Sequence, residues 1–203
     1  MKITYKYISR LSILLIAFLM MSCTEENPIE SAITNFPTFE YNSMVVISLG
    51  SNFTPVVKAT ENGVELPVTK TGSVDINTVG VYTMTYTATN SDGFDGSVSQ
   101  TVIVHNPLII GTDVSGDIVD ANNSTRTGVI TLVKGTTSIF YVTDFAFSGA
   151  FPMYFQMNGN TISEIKQVYP LGQTSVDLTY DPVTKRFTTK VNPAGFSYTF
   201  KYK

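Results

Sequence analysis

Three carboxylates, one histidine and one cysteine are among the side chains of this sequence that could support a reaction or hold a metal. Asp113, Asp117 and Asp120 lie close together in the chain, and two carboxylates facing each other across a cleft can hydrolyse a glycosidic bond. Nothing in the spacing places these three on opposite sides of a cleft, so we interpret them as part of a solvent-exposed loop. His105 is the only histidine and Cys23 the only cysteine, and the usual ligand sets of zinc need more of both. No metalloprotease, nucleophile-elbow or phosphate-loop motif is present, so we expect no enzyme, no metal site and no cofactor.

A cluster of aromatic residues suggests a different chemistry, the stacking of rings on a flat ligand such as a sugar. Five of the eleven residues from 145 to 155 are aromatic. The candidate ligand-binding residues are Phe147, Phe151, Tyr154 and Tyr169, and we expect Phe147 and Phe151 to be the exposed pair because they lie on a loop. The alternative is that these rings fill a protein core, where aromatic side chains bury large areas.

The composition indicates a folded chain built from strands. Hydrophobic residues make up 43% of the sequence and charged residues only 14%, which is unlike a disordered segment. The abundant Thr, Val, Tyr, Phe and Ile favour strands. The net charge of −3 becomes −6 once Lys2, Lys6 and Arg10 are removed with a leader. Such an acidic chain is a poor partner for nucleic acid, whose phosphates are neutralised by Lys and Arg.

The first 22 residues have the pattern of a cleaved secretory signal. Three basic residues precede an apolar run over residues 11–21. Eleven residues are too few to cross a hydrocarbon core that needs about 20, so a signal peptide explains the run better than a retained membrane helix.

The end of this leader resembles the bacterial lipobox. Met20, Met21 and Ser22 precede Cys23, and the resemblance implies cleavage before Cys23 and lipidation of its thiol. The family prefers Leu where Met20 stands. Acidic residues directly after Cys23 resemble the signal that sends some lipoproteins to the exterior face of the outer membrane. We therefore expect an outer-membrane, lipid-anchored protein that faces the cell exterior, with residues 23–38 forming the lipidated Cys and a flexible tether.

The first folded module is predicted over residues 39–106. Period-two alternation from residue 80 to 89 indicates a half-buried strand, and a turn over residues 90–96 leads to a second strand over 98–104. Shorter strands are predicted at 44–49, 55–60 and 64–69. Asp92 and Asp95 could bind calcium, but a turn rich in Asp and Gly is more often only a turn. Short strands at this spacing predict an immunoglobulin-like (Ig-like) β-sandwich.

This module resembles the Ig-like domain of bacterial surface proteins. The resemblance rests on residues 49–51, 57–60, 72–75, 80–89 and 101–104, and it departs from the family in the turn, at Asn90 and Phe94. Such domains are mostly spacers or interaction domains.

The second module, residues 107–203, is predicted to be an antiparallel β-meander that closes as a barrel or a sandwich. Seven strands are predicted, at residues 128–133, 138–144, 152–157, 161–169, 175–180, 186–191 and 196–202. Residues 111–113, 115–116, 126–128, 141–145 and 148–149 resemble the C-terminal β-domain of small lipoproteins from starch-utilisation-type (Sus-like) polysaccharide-uptake loci. That resemblance implies a context and no catalytic residues.

Together these observations predict an all-β, non-enzymatic surface lipoprotein that serves as an accessory binding component of a glycan capture and uptake system. The Ig-like module would be the spacer and the second module the recognition end. The implied partners are the membrane, polysaccharide and neighbouring outer-membrane transporter components. The alternative is a structural or adhesive lipoprotein that contacts other proteins through sheet edges or loops.

Overall fold

The computed structural model describes residues 34–147 and 149–203. The signal peptide, Cys23 and most of the predicted tether lie outside the described residues. Residues 35–203 form one compact unit of fifteen described strands and a single 3-10 turn at Pro170–Gly172. In these described ranges no helix has the length and apolar character needed to cross a membrane. The predicted all-β fold is confirmed.

The Ig-like module has two sheets that enclose a small core. The three-stranded sheet has the order β1-β3-β4 and the four-stranded sheet the order β2-β7-β6-β5. Their strands are β1 (Thr38–Tyr41), β2 (Met44–Ser48), β3 (Val57–Glu61), β4 (Val64–Leu66), β5 (Thr69–Thr71), β6 (Gly80–Thr89) and β7 (Asp95–His105). The alternation predicted for β6 is confirmed, because Tyr82, Met84, Tyr86 and Ala88 are all buried.

One strand prediction in this module was wrong. Residues 64–69 form no single strand, because β4 ends at Leu66 and β5 begins at Thr69 in the other sheet. Pro67 separates them, and proline cannot donate a hydrogen bond to a strand ladder. The chain therefore changes sheets at this point.

The second module is a nearly closed antiparallel barrel. Its eight strands are β8 (Gly116–Asp120), β9 (Thr127–Leu132), β10 (Ile139–Val142), β11 (Met153–Asn158), β12 (Thr161–Glu164), β13 (Ser175–Asp181), β14 (Arg186–Asn192) and β15 (Phe196–Tyr202). They follow the order β12-β11-β10-β9-β8-β15-β14-β13, and β12 and β13 lie side by side without a ladder.

The barrel contains one strand that the sequence interpretation missed. Residues 116–120 were expected to lie on a loop, but they form β8, which pairs with β9 and β15. Only Ile118 in its centre points fully into the core. A five-residue strand with acidic residues at two positions gives too weak an alternation to be recognised.

Aromatic rings fill the interior of the barrel. Phe145 lies fully buried at its centre, with ring centroids 5.6 Å from Phe155, 5.5 Å from Phe187 and 5.4 Å from Phe200. The inside of this barrel is a packed core rather than a ligand cavity.

The two modules share a third hydrophobic cluster, which we call the module interface. The Ig-like module contributes Val46, Val79, Val81 and Ile103, and the barrel contributes Val133, Ile139, Tyr141, Tyr154 and Ile165. The outer face of the Ig-like sheet therefore packs on the outer face of strands β10 and β11. This contact buries apolar area on both modules and holds them together.

Candidate functional site

The structure places the aromatic stretch mostly inside the barrel. Phe151 was expected to be exposed, and that expectation was wrong: its side chain is 0% exposed. Its ring stacks nearly parallel on Tyr169, with centroids 6.1 Å apart and an interplanar angle of 9°. Only Pro152 separates Phe151 from β11, which begins at Met153, so Phe151 is turned inward just before the strand.

Phe147 remains accessible only in part. Its ring meets Phe151 edge to face at 5.5 Å and Phe196 at 5.8 Å. Phe196 is 55% exposed and is therefore the most accessible ring of this barrel end. The sequence pattern predicts Phe196 only as the first residue of a strand, although its position directly after the turn at residues 193–195 favours exposure.

Tyr169 is removed from solvent by its neighbours. The residue is buried, and its hydroxyl oxygen accepts a hydrogen bond from Gln167 Nε2 at 3.2 Å. Burial raises the pKa of the Tyr169 hydroxyl far above its ordinary value, and the neighbouring Glu164 carboxylate raises it further. The side chain thus supports Phe151 from within the barrel.

Tyr154 lies apart from the other three candidates, on the outer face of β11. Its ring is 5.0 Å from Tyr141 at the module interface, and burial raises its pKa. Gln167 fixes its backbone, accepting from the Tyr154 amide at 2.8 Å and donating to the Tyr154 carbonyl at 2.6 Å. A cleft of about 250 Å³ opens beside both tyrosines, between them and Thr83 and Thr101 of the Ig-like sheet. The four candidate residues therefore do not form one site.

The three carboxylates considered for hydrolysis also do not converge. Asp113 precedes β8 and Asp120 ends it, so the strand separates them. The buried Asp120 carboxylate pairs with Arg126, whose guanidinium also lies 4.6 Å over the Tyr198 ring. Across the residues that the structure describes, no group of three or more His, Cys, Asp or Glu side chains could hold a metal ion.

A polar cleft at the opposite end of the barrel from Phe147 and Phe196 combines rings with hydrogen-bonding groups. We call it the Tyr180–Tyr202 cleft. Its volume is about 540 Å³, and it is lined by Thr112, Asp113, Ser115, Asn160, Tyr180, Pro182, Lys185 and Tyr202. No local sequence pattern predicts this cleft, because its residues come from four separate parts of the chain.

The tyrosines of this cleft are held by the barrel wall. Tyr180 packs on Phe187 with centroids 4.7 Å apart, and Tyr202 meets the same ring edge to face at 5.9 Å. The Tyr202 hydroxyl donates to the Val114 carbonyl at 2.8 Å, and burial raises its pKa to about 12. Both side chains are half-buried, so they form a rigid wall that still contacts solvent.

Local turns and hydrogen bonds fix the positions of the polar groups in the cleft. Hydrogen bonds from the hydroxyl and the amide of Ser115 lower the pKa of the Asp113 carboxylate below its ordinary value, and they fix the position of this exposed acceptor. Asn160 uses Oδ1 to accept from Thr112 at 2.7 Å, which orients its amide. Lys185 adopts a left-handed φ of 52° in the turn that Asp181 stabilises by accepting from the Val183 amide at 2.9 Å. A carboxylate, an amide and an ammonium group therefore surround two aromatic rings.

Comparison with known proteins supports the assignment of the first module. Residues 37–104 match the family model described as "Bacterial surface protein, Ig-like domain". The chain thus carries an Ig-like domain of the bacterial surface type. Among solved structures, a lipoprotein from Bacteroides thetaiotaomicron is similar, with 27% sequence identity and a TM-score of 0.42, covering 81% of this chain and 98% of that one. No curated protein matches the chain.

Proposed function

We propose that this chain is a non-enzymatic lipoprotein of the outer membrane, anchored through a lipid on Cys23, whose barrel binds a glycan in the Tyr180–Tyr202 cleft. The observation that carries the glycan proposal is the meeting of two half-buried tyrosine rings with Asp113, Asn160 and Lys185 in one cleft. The lipobox-like end of the leader and the surface-type Ig-like domain support the anchor and its exterior location.

The chemistry of the cleft fits a sugar better than an apolar ligand. A sugar ring has a C–H face that packs on an aromatic ring and hydroxyl groups that need donors and acceptors. Tyr180 and Tyr202 offer the rings, Asp113 accepts hydrogen bonds and Lys185 donates them. Ligand sites commonly combine such an apolar wall with a few convergent polar groups.

The barrel end around Phe196 lacks this combination. Phe147 and Phe196 meet edge to face, and their aromatic neighbours are Phe151 and Tyr198. The guanidinium of Arg126, which lies over the Tyr198 ring, is already paired with the Asp120 carboxylate. Phe147 and Tyr154 remain proposals as secondary contacts for a long glycan, whereas Phe151 and Tyr169 would act only as supports.

The proposed role extends to the fate of a bound glycan. A glycan held at the cell surface could be passed to neighbouring outer-membrane transporter components of a Sus-like uptake system. The Ig-like domain would then place the barrel away from the membrane. Because the two modules pack on each other at the module interface, this spacer would position the cleft rigidly rather than by a flexible hinge.

Affinity electrophoresis tests the proposal directly. Residues 24–203 would be run on native gels containing a panel of neutral and acidic polysaccharides, and we expect retardation by at least one of them. Lys185→Ala and Tyr180→Ala should each weaken that retardation at least tenfold in apparent Kd. Phe196→Ala, which removes an exposed ring from the other barrel end, is the matched control and should leave it unchanged.

Two results would count against the glycan site. Absence of retardation by every polysaccharide would favour the structural or adhesive alternative. Equal retardation of the wild type and of Lys185→Ala would show that the glycan binds outside the Tyr180–Tyr202 cleft. Since Tyr180 packs on Phe187, its variant needs a melting curve, whereas the exposed Lys185 gives a test that does not depend on packing.

A further inference from the structure

An exposed pair of aromatic side chains stands where the described fold begins. Phe36 is 58% exposed and Phe94 is 51% exposed, and their ring centroids are 6.1 Å apart. Phe36 lies two residues before the start of β1, and Phe94 lies in the turn between β6 and β7. Two large apolar rings are thus presented to solvent side by side at one end of the Ig-like module.

The buried side-chain amide of Asn90 holds this pair in position. Asn90 is only 5% exposed, and its Oδ1 accepts from the Phe94 amide at 2.7 Å while its Nδ2 donates to the Asn35 carbonyl at 2.9 Å. The Asn90 amide also donates to the Phe94 carbonyl at 2.9 Å. One side chain therefore fixes the backbone beside both rings, and the rings are held out rather than left on a free loop.

The position of the pair in the chain places it close to the anchor. Twelve residues separate Cys23 from Phe36, and a fully extended chain of that length spans no more than about 45 Å. A lipid on Cys23 would therefore keep this end of the fold within about 45 Å of the bilayer. Exposed aromatic rings at a membrane surface gain free energy by entering the boundary between head groups and acyl chains.

The charge around the pair selects the type of surface. Asp92 and Asp95 flank Phe94 in the same turn and are exposed, and Glu61 lies beside them, accepting from the Ser91 amide at 2.9 Å. In the described part of the chain no salt bridge neutralises these three carboxylates. They would be repelled by anionic head groups and tolerated by zwitterionic ones.

We propose that Phe36 and Phe94 insert together into the interfacial layer of a zwitterionic phospholipid surface, and so fix the orientation of the Ig-like module on the membrane that carries the anchor. This inference rests on the proposed anchoring through Cys23. A protein partner is the competing occupant, and the experiment separates the two.

The test uses the chain from Cys23 to Lys203 with its one thiol coupled to a maleimide-bearing lipid in phosphatidylcholine and phosphatidylethanolamine vesicles. This coupling supplies the anchor whether or not the cell lipidates Cys23, so failure of the native anchor and failure of the insertion are distinguishable. The sequence contains no tryptophan, so Phe94→Trp introduces a single fluorescent reporter. We expect a blue-shifted emission that lipids brominated near the head group quench at least twofold.

Two matched variants make the result specific. Val183→Trp places the reporter at another apolar position, 88% exposed, in the turn between β13 and β14, and should not be quenched. Phe36→Ser in the Phe94→Trp background should reduce the quenching, because one ring alone inserts less well. Replacing half of the lipid by phosphatidylglycerol should also reduce it.

Several outcomes would overturn the proposal. If the quenching of Phe94→Trp is no greater than that of Val183→Trp, the aromatic pair does not enter the lipid layer, and a protein partner becomes the better explanation of its exposure. Quenching that survives Phe36→Ser unchanged, or that increases with phosphatidylglycerol, would also contradict it. Unchanged far-ultraviolet circular dichroism would show that each variant is folded.

Discussion

The backbone amide of Val81 donates a hydrogen bond to the carbonyl oxygen of Lys166 at 2.7 Å, and this bond joins the Ig-like sheet to the barrel. The Lys166 ammonium also lies 5.3 Å over the Tyr82 ring. Polar bonds and a cation–π contact thus accompany the apolar module interface. The orientation of the barrel on the Ig-like module is therefore set by specific groups as well as by buried area.

Gly80→Ala should break this junction. A Cβ at Gly80 would lie 2.7 Å from the Lys166 carbonyl oxygen, so the strands would have to separate, and we expect a loss of roughly 1–3 kcal/mol in the free energy of unfolding. Urea unfolding followed by circular dichroism measures it. Gly96→Ala is the control, since its nearest contact is the Pro37 ring at 3.2 Å and it does not touch the barrel. Equal stability of Gly80→Ala and the wild type would contradict the prediction.

Phe151→Ala should destabilise the barrel. The side chain is fully buried against Tyr169 and Phe147, and removal of a buried phenyl ring costs about 3–5 kcal/mol. Phe196→Ala removes a ring that is 55% exposed and should change the free energy of unfolding much less. Chemical denaturation of both variants measures the difference. A loss below about 1 kcal/mol for Phe151→Ala would mean that the ring is not part of the core in solution.

Stability should fall as the pH drops below the ordinary pKa of histidine. His105 is buried, its Nδ1 has no hydrogen-bond partner among the residues that the structure describes, and burial lowers its pKa from the ordinary value of 6.5. Below pH 6.5 the unfolded chain therefore binds a proton that the folded chain resists, and stability is lost progressively until the pH reaches the lowered folded pKa.

Melting temperatures of the wild type and of His105→Gln between pH 7.5 and 5 test this. The melting temperature of the wild type should fall more steeply with decreasing pH than that of His105→Gln, because glutamine has no proton to take up in this range. The aspartates with lowered pKa values, Asp75, Asp113 and Asp181, stay ionised throughout this range and lose their contribution only below about pH 4. If the melting temperatures of both proteins fall equally with pH, the pH dependence comes from groups other than His105.

Cys23→Ala should release the protein from membranes. Without the thiol no lipid can be attached at this position, so the proposed membrane anchor is lost. Fractionation of cells that express each form, followed by mass spectrometry of the N-terminal peptide, measures the change. Retention of Cys23→Ala in the membrane fraction would contradict lipid anchoring through this residue.

Much of the fold could be predicted because strands and turns produce patterns in short stretches of sequence. The alternation in β6 and in β15 follows from side chains that point to opposite faces of a strand, and the turns carry Gly, Asn and Pro. The exceptions are instructive. Pro67 divided a predicted strand between two sheets, and β8 was too short and too acidic to be recognised.

The candidate site could not be predicted in the same way. An aromatic-rich stretch looks the same whether it lines a ligand cleft or fills a barrel, because hydrophobicity does not record which neighbours surround a ring. Phe151 was buried by Tyr169, which follows it by eighteen residues. Asp113, Asn160 and Lys185 meet only because the barrel brings three connections to one end.

The sequence by itself determined the all-β class, the Ig-like type of the first module and the prediction of an anchor at Cys23, because strand periodicity and leader motifs are written over short stretches of chain. Only the tertiary structure decided which aromatic rings are core and which are surface. It also decided that the two modules pack together and that Asn90 holds Phe36 beside Phe94. These features depend on contacts between residues that are distant in the chain, and no local pattern encodes them.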